Sequence, residues 1–251
     1  VVEKELSKEE VAHLLKQISR SRLDTLKLKD NDHRIIGKDL DLWSFNEVAP
    51  GMVFWHNNGL IIRNQLIHFW QQEHRKSGYQ EIKTPQILDK KLWLISGHWE
   101  KFKENMFMTD YEKKEYAVKP MNCPGGLLIF KSNPKSYKDL PVAVYQIQTK
   151  FRDEPRAKSG LLRGREFGMK DLYSFHLTEE DLEAYYERAK DAYLRVYERC
   201  GLKAYVIEAS GGAFTDKFSH EFSVETPAGE DTIITDPSNQ FYDEQNPVQR
   251  R

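Results

Sequence analysis

Tyr145-Gln146-Ile147-Gln148-Thr149-Lys150-Phe151-Arg152-Asp153-Glu154 changes character at every second residue. Ala143, Tyr145, Ile147 and Phe151 fall on one side of the run, and Gln146, Gln148, Lys150 and Arg152 on the other. A period of two is that of a β-strand, so this stretch predicts a strand with one apolar and one polar face. A Gly-containing basic loop, Pro155 to Gly160, follows it, and Arg165 to Phe175 then reads as a returning strand with Phe167, Met169, Asp171 and Tyr173 on one face. The two strands predict a long antiparallel hairpin.

Outward from the hairpin the period changes to that of helices. Ile62, Leu66, Phe69 and Trp70 share a helical face within Gly59 to Ser77, and Gly78 stands where a helix end favours a left-handed residue before a strand at Tyr79 to Thr84. Glu179 to Cys200 predicts a second helix from Leu182, Tyr186, Ala189, Tyr193 and Val196, with Thr178 as its cap and Gly201 as its stop. Ser7 to Arg22 predicts a short amphipathic helix. Phe218 to Glu225 and Asp231 to Thr235 predict a further hairpin across Pro227 to Glu230. Together these elements predict an α+β fold, an antiparallel β-sheet flanked by helices. The expected organisation is a helical appendage over 1–30, a core over 31–235 and a polar tail over 236–251.

Composition narrows the class. The 251 residues carry 38 Lys+Arg against 39 Asp+Glu for a net charge of -1, and 39% are hydrophobic, which suits a folded globular chain and not a nucleic-acid-coating one. Any nucleic-acid contact must therefore be local. No apolar run is long enough to span a bilayer and the first ten residues are charged, so the expectation is a cytoplasmic protein without membrane contact. Two cysteines, Cys123 and Cys200, cannot build a disulfide framework.

The chemistry concentrates on the hairpin. Arg152, Arg163 and Arg165 offer planar donors that match phosphate oxygens, Glu154 can accept from an exocyclic amine, and Phe167 offers a ring on which a base can stack. These residue types suit a nucleoside triphosphate, although a solvated charge-rich hairpin would carry the same composition. Other chemistries lack their motifs. The histidines show no HExxH and no zinc-finger spacing, Gly211-Gly212 is followed by no GK[ST], and there is no GxSxG.

The stretch Phe151-Arg152-Asp153-Glu154 with Arg163-Gly164-Arg165-Glu166-Phe167 resembles the second signature motif of the class II aminoacyl-tRNA synthetases, and Gly78 to Pro85 resembles the first. The likeness covers roughly residues 30 to 235. Asp32 to Lys38, Ala49-Pro50-Gly51-Met52, Ser96 to Lys101 and Lys119-Pro120-Met121-Asn122-Cys123-Pro124-Gly125 are similar to threonyl-tRNA synthetases. Tyr145 to Glu154, Met169-Lys170-Asp171-Leu172-Tyr173-Ser174-Phe175-His176, and Ser219 to Phe222 with Gly229 to Ile233 look more like prolyl-tRNA synthetases.

The resemblance implies ATP-dependent activation of threonine and its transfer to tRNA, with proline as the alternative substrate and a non-catalytic binding or dimerisation module as the alternative role. Arg152 is implied at the α-phosphate and carboxylate and Glu154 at the adenine amine, the two making the catalytic set. Arg163 and Arg165 are implied at the outer phosphates and Phe167 against the base. Met121, Cys123, Met169, Asp171 and Tyr173 would line the amino-acid pocket. ATP and magnesium are implied, and zinc would bind at Cys123 if a metal is used. Tyr173 stands where such threonyl enzymes carry a zinc-binding histidine, and Met169 where the pocket has a glutamine. Met121 to Gly126 lacks the Thr and Glu of the prolyl pocket. A homodimer through Gly59 to Pro85 is implied, together with a core incomplete at its C-terminal end, since nothing after Thr235 matches the family's third motif.

Overall fold

A computed structural model describes residues 7–18, 28–133, 136–155, 157, 160–210, 218–226, 232–235 and 241–243. The expectations on the remainder of the 1–30 appendage and of the 236–251 tail, and on the turn at Pro227 to Glu230, lie outside the described residues. The chain divides into two compact units, 1–175 and 176–251. In the first, chain order is α1 (Lys8–Ile18), α2 (His33–Asp39), β1 (Trp43–Ser44), β2 (Phe54–Trp55), α3 (Asn57–Lys76), β3 (Gln80–Glu81), β4 (Ile87–Asp89), α4 (Lys90–Ile95), α5 (His98–Lys101), β5 (Met108–Tyr111), β6 (Lys114–Val118), α6 (Cys123–Ser132), β7 (Val142–Phe151) and β8 (Glu166–Phe175). In the second, α7 (Glu179–Arg199) precedes β9 (Ala204–Ser210), β10 (Phe218–Val224), β11 (Ile233–Thr235) and β12 (Phe241–Asp243).

The predicted hairpin is the centre of the first unit. β7 and β8 pair antiparallel over ten residues each, with Gln146 opposite Asp171, Gln148 opposite Met169 and Lys150 opposite Phe167. Because opposed residues in an antiparallel pair share a face, these form one surface, and Tyr145, Ile147, Thr149, Gly168 and Lys170 form the other. β3 adds a parallel edge at Val144 and Tyr145. A second sheet, in the order β4-β6-β5, packs Ala117 with Trp93 of α4 and Met106, and these buried residues gather Leu88, Trp99 and Phe102 around them. The indole of Trp93, wholly buried, donates to the Leu88 carbonyl at 3.2 Å, so its polar atom is paid off locally.

The helices end where their sequences say. α3 stops at Gly78 with φ +77 and α7 at Gly201 with φ +76, both left-handed conformations that cost glycine least. Thr178 caps α7 by accepting from the Asp181 amide at 3.3 Å. Two expectations are corrected. The strand over Tyr79 to Thr84 is regular only at Gln80 and Glu81: the Ile82 amide still donates to the Tyr145 carbonyl of β7 at 2.8 Å, but at Thr84 the amide leaves the ladder for the Gln148 side chain at 2.8 Å. β10 does not form a hairpin with β11: it pairs with β9 along seven residues, while β11 pairs with β12, which lies parallel to β9. A strand's partner is set by where the chain returns in space, which turn residues alone do not report. Among the described residues no helix is long and apolar enough to cross a membrane.

Candidate functional site

The polar face of β7 is buried, and that determines the chemistry beside it. Gln146 and Lys150 are 0% and 2% exposed, and Lys119 at the end of β6 is 0% exposed. Buried polar atoms must be paired, and the pairing here runs through Thr84. Its amide donates to Gln148 Oε1 at 2.8 Å and its carbonyl accepts from Gln148 Nε2 at 2.9 Å. Its hydroxyl accepts from Lys119 Nζ at 3.0 Å and sits 3.1 Å from Gln146 Oε1. Gln146 Nε2 reaches on to the Asn122 carbonyl at 3.3 Å. Residues more than sixty positions apart thereby fix the floor of one site. Burial lowers the Lys119 ammonium to about 8, with nearby Lys150 acting in the same direction.

Asp171 lies at the centre of that floor. Lys150 Nζ is 3.1 Å from Asp171 Oδ2, and Asn122 Nδ2 donates to the same carboxylate at 2.5 Å. Lys150 also touches Met169 Sδ at 2.8 Å. Burial pulls the Lys150 ammonium down while Asp171 raises it, so each charge of this pair is held by the other.

Arg152 leads out of the pair. Its Nε donates to the Pro120 carbonyl at 3.2 Å, and its guanidinium lies 5.4 Å from the Phe167 ring and 5.7 Å from Phe102. Burial works against the charge, which Asp171 and Glu154 support. Glu154 holds Arg163 at 3.0 Å, and Arg163 is half-exposed. Arg165 is turned into the fold, donating to the carbonyls of Glu154 and Pro50 at 3.2 Å each. The three arginines are therefore not equivalent: Arg152 is fixed, Arg163 paired at the surface, and Arg165 engaged by two backbone carbonyls with the Asp153 carboxylate 3.6 Å away.

The amino-acid-binding candidates converge on the same floor. Cys123 opens α6 and lies within electrostatic reach of Lys150, Arg152 and Tyr173. Met121 Sδ lies 3.0 Å from His98 Nε2. The Tyr173 hydroxyl and Asn122 Oδ1 are buried with no hydrogen bond of good geometry, although Cys123 and Gln146 are close enough to perturb the phenol. Burial holds that phenol well above its usual range.

These residues do not fit a zinc ion. Among the described residues no three His, Cys, Asp or Glu side chains are placed to hold a metal, and a phenol kept protonated does not replace a histidine nitrogen. Sequence reasoning missed Thr84, Lys119 and Asn122. The signal available was the polar side of β7, which needed buried partners if that side faced inward.

Comparison with known proteins gives one family. The family model of the tRNA synthetase class II core domain (G, H, P, S and T) matches residues 102–245. A threonine–tRNA ligase of Natranaerobius thermophilus is 51% identical over 159 residues, 62% of this chain and 25% of the relative. One from Clostridium botulinum is 47% identical over 156 residues, 62% of this chain and 24% of the relative. The chain thus spans about a quarter of the length of these curated relatives. The crystal structure of the RNA binding domain of threonyl-tRNA synthetase from Cryptosporidium parvum Iowa II superposes with TM-score 0.68 at 35% identity, over 71% of this chain and 45% of that one. Giardia lamblia prolyl-tRNA synthetase in complex with prolyl-adenylate superposes with TM-score 0.65 at 21% identity, over 70% of this chain and 37% of that one, a likeness of fold.

Proposed function

Because the chain belongs to the class II tRNA synthetase core-domain family, we propose that it carries the adenylation site of a cytoplasmic threonine–tRNA ligase. The observation that carries the reading is Arg152, a half-buried guanidinium fixed by the Pro120 carbonyl between two aromatic rings, its charge supported by Asp171 and Glu154. There the carboxylate of threonine attacks the α-phosphorus of ATP. One P–O bond forms, the bond to pyrophosphate breaks, and the acyl group later passes to the terminal ribose of tRNA.

Arg152 neutralises the charge shared between the carboxylate and the α-phosphate, and its fixed position means little reorganisation as that charge develops. Phe167 has Arg152 over its ring and stacks the base alongside. Glu154 takes the adenine amine, for which it must release Arg163, and the freed Arg163 moves to the outer phosphates. Arg165 holds the loop through backbone carbonyls, a positioning part in place of direct phosphate contact. Asp171 receives the ammonium of the amino acid, and the Tyr173 hydroxyl and Asn122 Oδ1 are the unmatched partners for its polar groups, with Met121, Cys123 and Met169 around them. Magnesium would arrive with the triphosphate. A second copy would pair along α3, where Leu60, Ile61 and Ile62 are exposed.

Titration of ATP into the chain tests the site. Affinity at least about tenfold weaker in Arg152→Ala, with unchanged circular dichroism, is expected from the loss of a charge-assisted phosphate contact. Equal affinities would sink the assignment.

A further inference from the structure

The segment Asp32 to Lys38 takes no part in the chemistry above, yet its first turn is seated on the hairpin that does. His33, which opens α2, accepts the Leu161 amide on Nε2 at 3.0 Å. With Nε2 as acceptor the ring proton belongs on Nδ1, and Nδ1 lies 3.5 Å from Asp32 Oδ1. Asp32 is itself fixed. It caps α2 by accepting from the Arg34 amide at 2.9 Å, and Arg34 Nε and Nη2 donate to its two carboxylate oxygens at 2.9 and 2.8 Å. Those bonds hold the Asp32 carboxyl well below the usual carboxylate range. Gly160 makes the close approach possible: its φ of +64 suits glycine, and a β-carbon there would run into His33 Nε2 and come within 2.7 Å of Arg34 Cγ. Four residues beyond Leu161, the Arg165 amide donates to the Gly51 carbonyl at 2.7 Å. Arg163 therefore stands midway between two backbone anchors supplied by distant parts of the chain.

We propose that His33 is a positioning residue for ATP: by holding Leu161 it keeps the backbone of Arg163 in place, so that this arginine leaves Glu154 and meets the outer phosphates by turning its side chain alone. The inference rests on the assignment of Arg163 to those phosphates. The advantage is entropic. A guanidinium on a loose segment must order backbone and side chain together when the nucleotide arrives, whereas one carried between two fixed amides orders only side-chain torsions. His33 acts through the backbone of the hairpin and not by contact with the nucleotide. Because AMP has no outer phosphates for Arg163 to hold, the effect of His33 is confined to ligands that carry them.

Two measurements on the full chain separate the tether from its use. Followed by NMR without ligand, the Leu161 amide is expected to exchange with solvent at least about tenfold faster in His33→Leu than in the unaltered chain. His33→Gln, whose Oε1 can stand in for Nε2, should restore the protection. In titrations, ATP affinity is expected to fall about fivefold in His33→Leu while AMP affinity stays unchanged, with His33→Gln again close to the unaltered chain. Arg163→Met should lose about tenfold for ATP, and adding His33→Leu to it should cost nothing further. Gly160→Ala disturbs the same contact from its other side and serves if His33→Leu misfolds. Unchanged Leu161 exchange in folded His33→Leu, equal losses for ATP and AMP, or additive losses in the double variant would each overturn the inference. If Leu161 loses its protection but Arg163→Met binds ATP as tightly as the unaltered chain, the fault lies with the assignment of Arg163, and the positioning role falls with it. If Arg163→Met is weakened and His33→Leu is not, the assignment stands and the tether has no part in it.

Discussion

The two faces of the β3-β7-β8 sheet are made from alternate residues of the same strands, yet they solve opposite problems. On the front, Gln146, Gln148 and Lys150 are buried and almost every polar atom is matched by Thr84, Lys119, Asn122 or Asp171. On the back, Ile147 and Lys170 border a cavity against α3. The front is rigid because unpaired polar atoms in low dielectric are costly, and that cost fixes Arg152 and Asp171 before any substrate arrives. The back is bordered largely by aliphatic and aromatic side chains of α3 and the sheet, whose contacts are individually weak and non-directional. A face that must hold geometry is lined by mutually satisfied polar groups, whereas non-directional apolar contact specifies the other face less strictly.

The comparison breaks first at Lys150. Lys150→Met leaves the largely buried Asp171 carboxylate with Asn122 as its hydrogen-bond partner and the more distant Arg152 charge, and a loss of about 2–4 kcal/mol in urea unfolding is expected from a broken buried pair. A loss below about 1 kcal/mol would mean the front face is not electrostatically closed. Gln148→Ala comes next. It strands both the amide and the carbonyl of Thr84, and about 2–4 kcal/mol should be lost, whereas Ile147→Ala on the back should cost about 1–2 kcal/mol because that side chain is only half-buried beside existing space. Equal losses would erase the distinction between the faces.

Smaller effects are read as pH dependence. Lys119 on the front and Lys170 on the back both have ammonium groups lowered to about 8 by burial, so between pH 8 and the usual lysine range the unfolded chain binds more protons than the folded one. Stability should therefore rise with pH across that window, and Lys119→Met and Lys170→Met should each remove part of the slope. His74, buried against Trp70, Tyr79 and Tyr145 and lowered to about 4, works at the acid end. The unfolded chain takes up its proton first as pH falls from 6.5, so stability should drop there, and His74→Leu should flatten the drop. The smallest effect belongs to neither face: Glu115→Gln, at the exposed Lys90–Glu115 pair, should change stability by less than about 1 kcal/mol.

Much of this architecture is legible in the sequence, for local reasons. The period of two along Tyr145 to Arg152, the spacing of α7 and the stops at Gly78 and Gly201 are properties of a few adjacent residues. The alternation also marks Gln146, Gln148 and Lys150 as one surface. It does not say that the surface is buried, because their partners Thr84, Lys119 and Asn122 come from segments far away in the chain. Likewise Phe218 to Glu225 reads as a strand, but its neighbour is β9 and not the strand after the next turn. At the candidate site the sequence identifies Arg152, Glu154, Arg163, Arg165 and Phe167 as a group without showing that Arg165 is engaged by the carbonyls of Glu154 and Pro50 while Arg152 is held by the Pro120 carbonyl. Ile62, placed by its spacing on the apolar stripe of α3, stays exposed with Leu60 and Ile61, because only the stripe of Arg63, Ile67 and Trp70 turns to the sheet.

The most direct measurement is amino-acid-dependent exchange of pyrophosphate into ATP by the chain, with threonine, serine and proline compared and Arg152→Ala as the control. Exchange that is strongest with threonine, indifferent to a zinc chelator because no described donor set fits that metal, and reduced about a hundredfold or more in Arg152→Ala is the predicted result. Exchange with proline in preference to threonine, or none with any of the three in a folded chain that binds ATP, would contradict it.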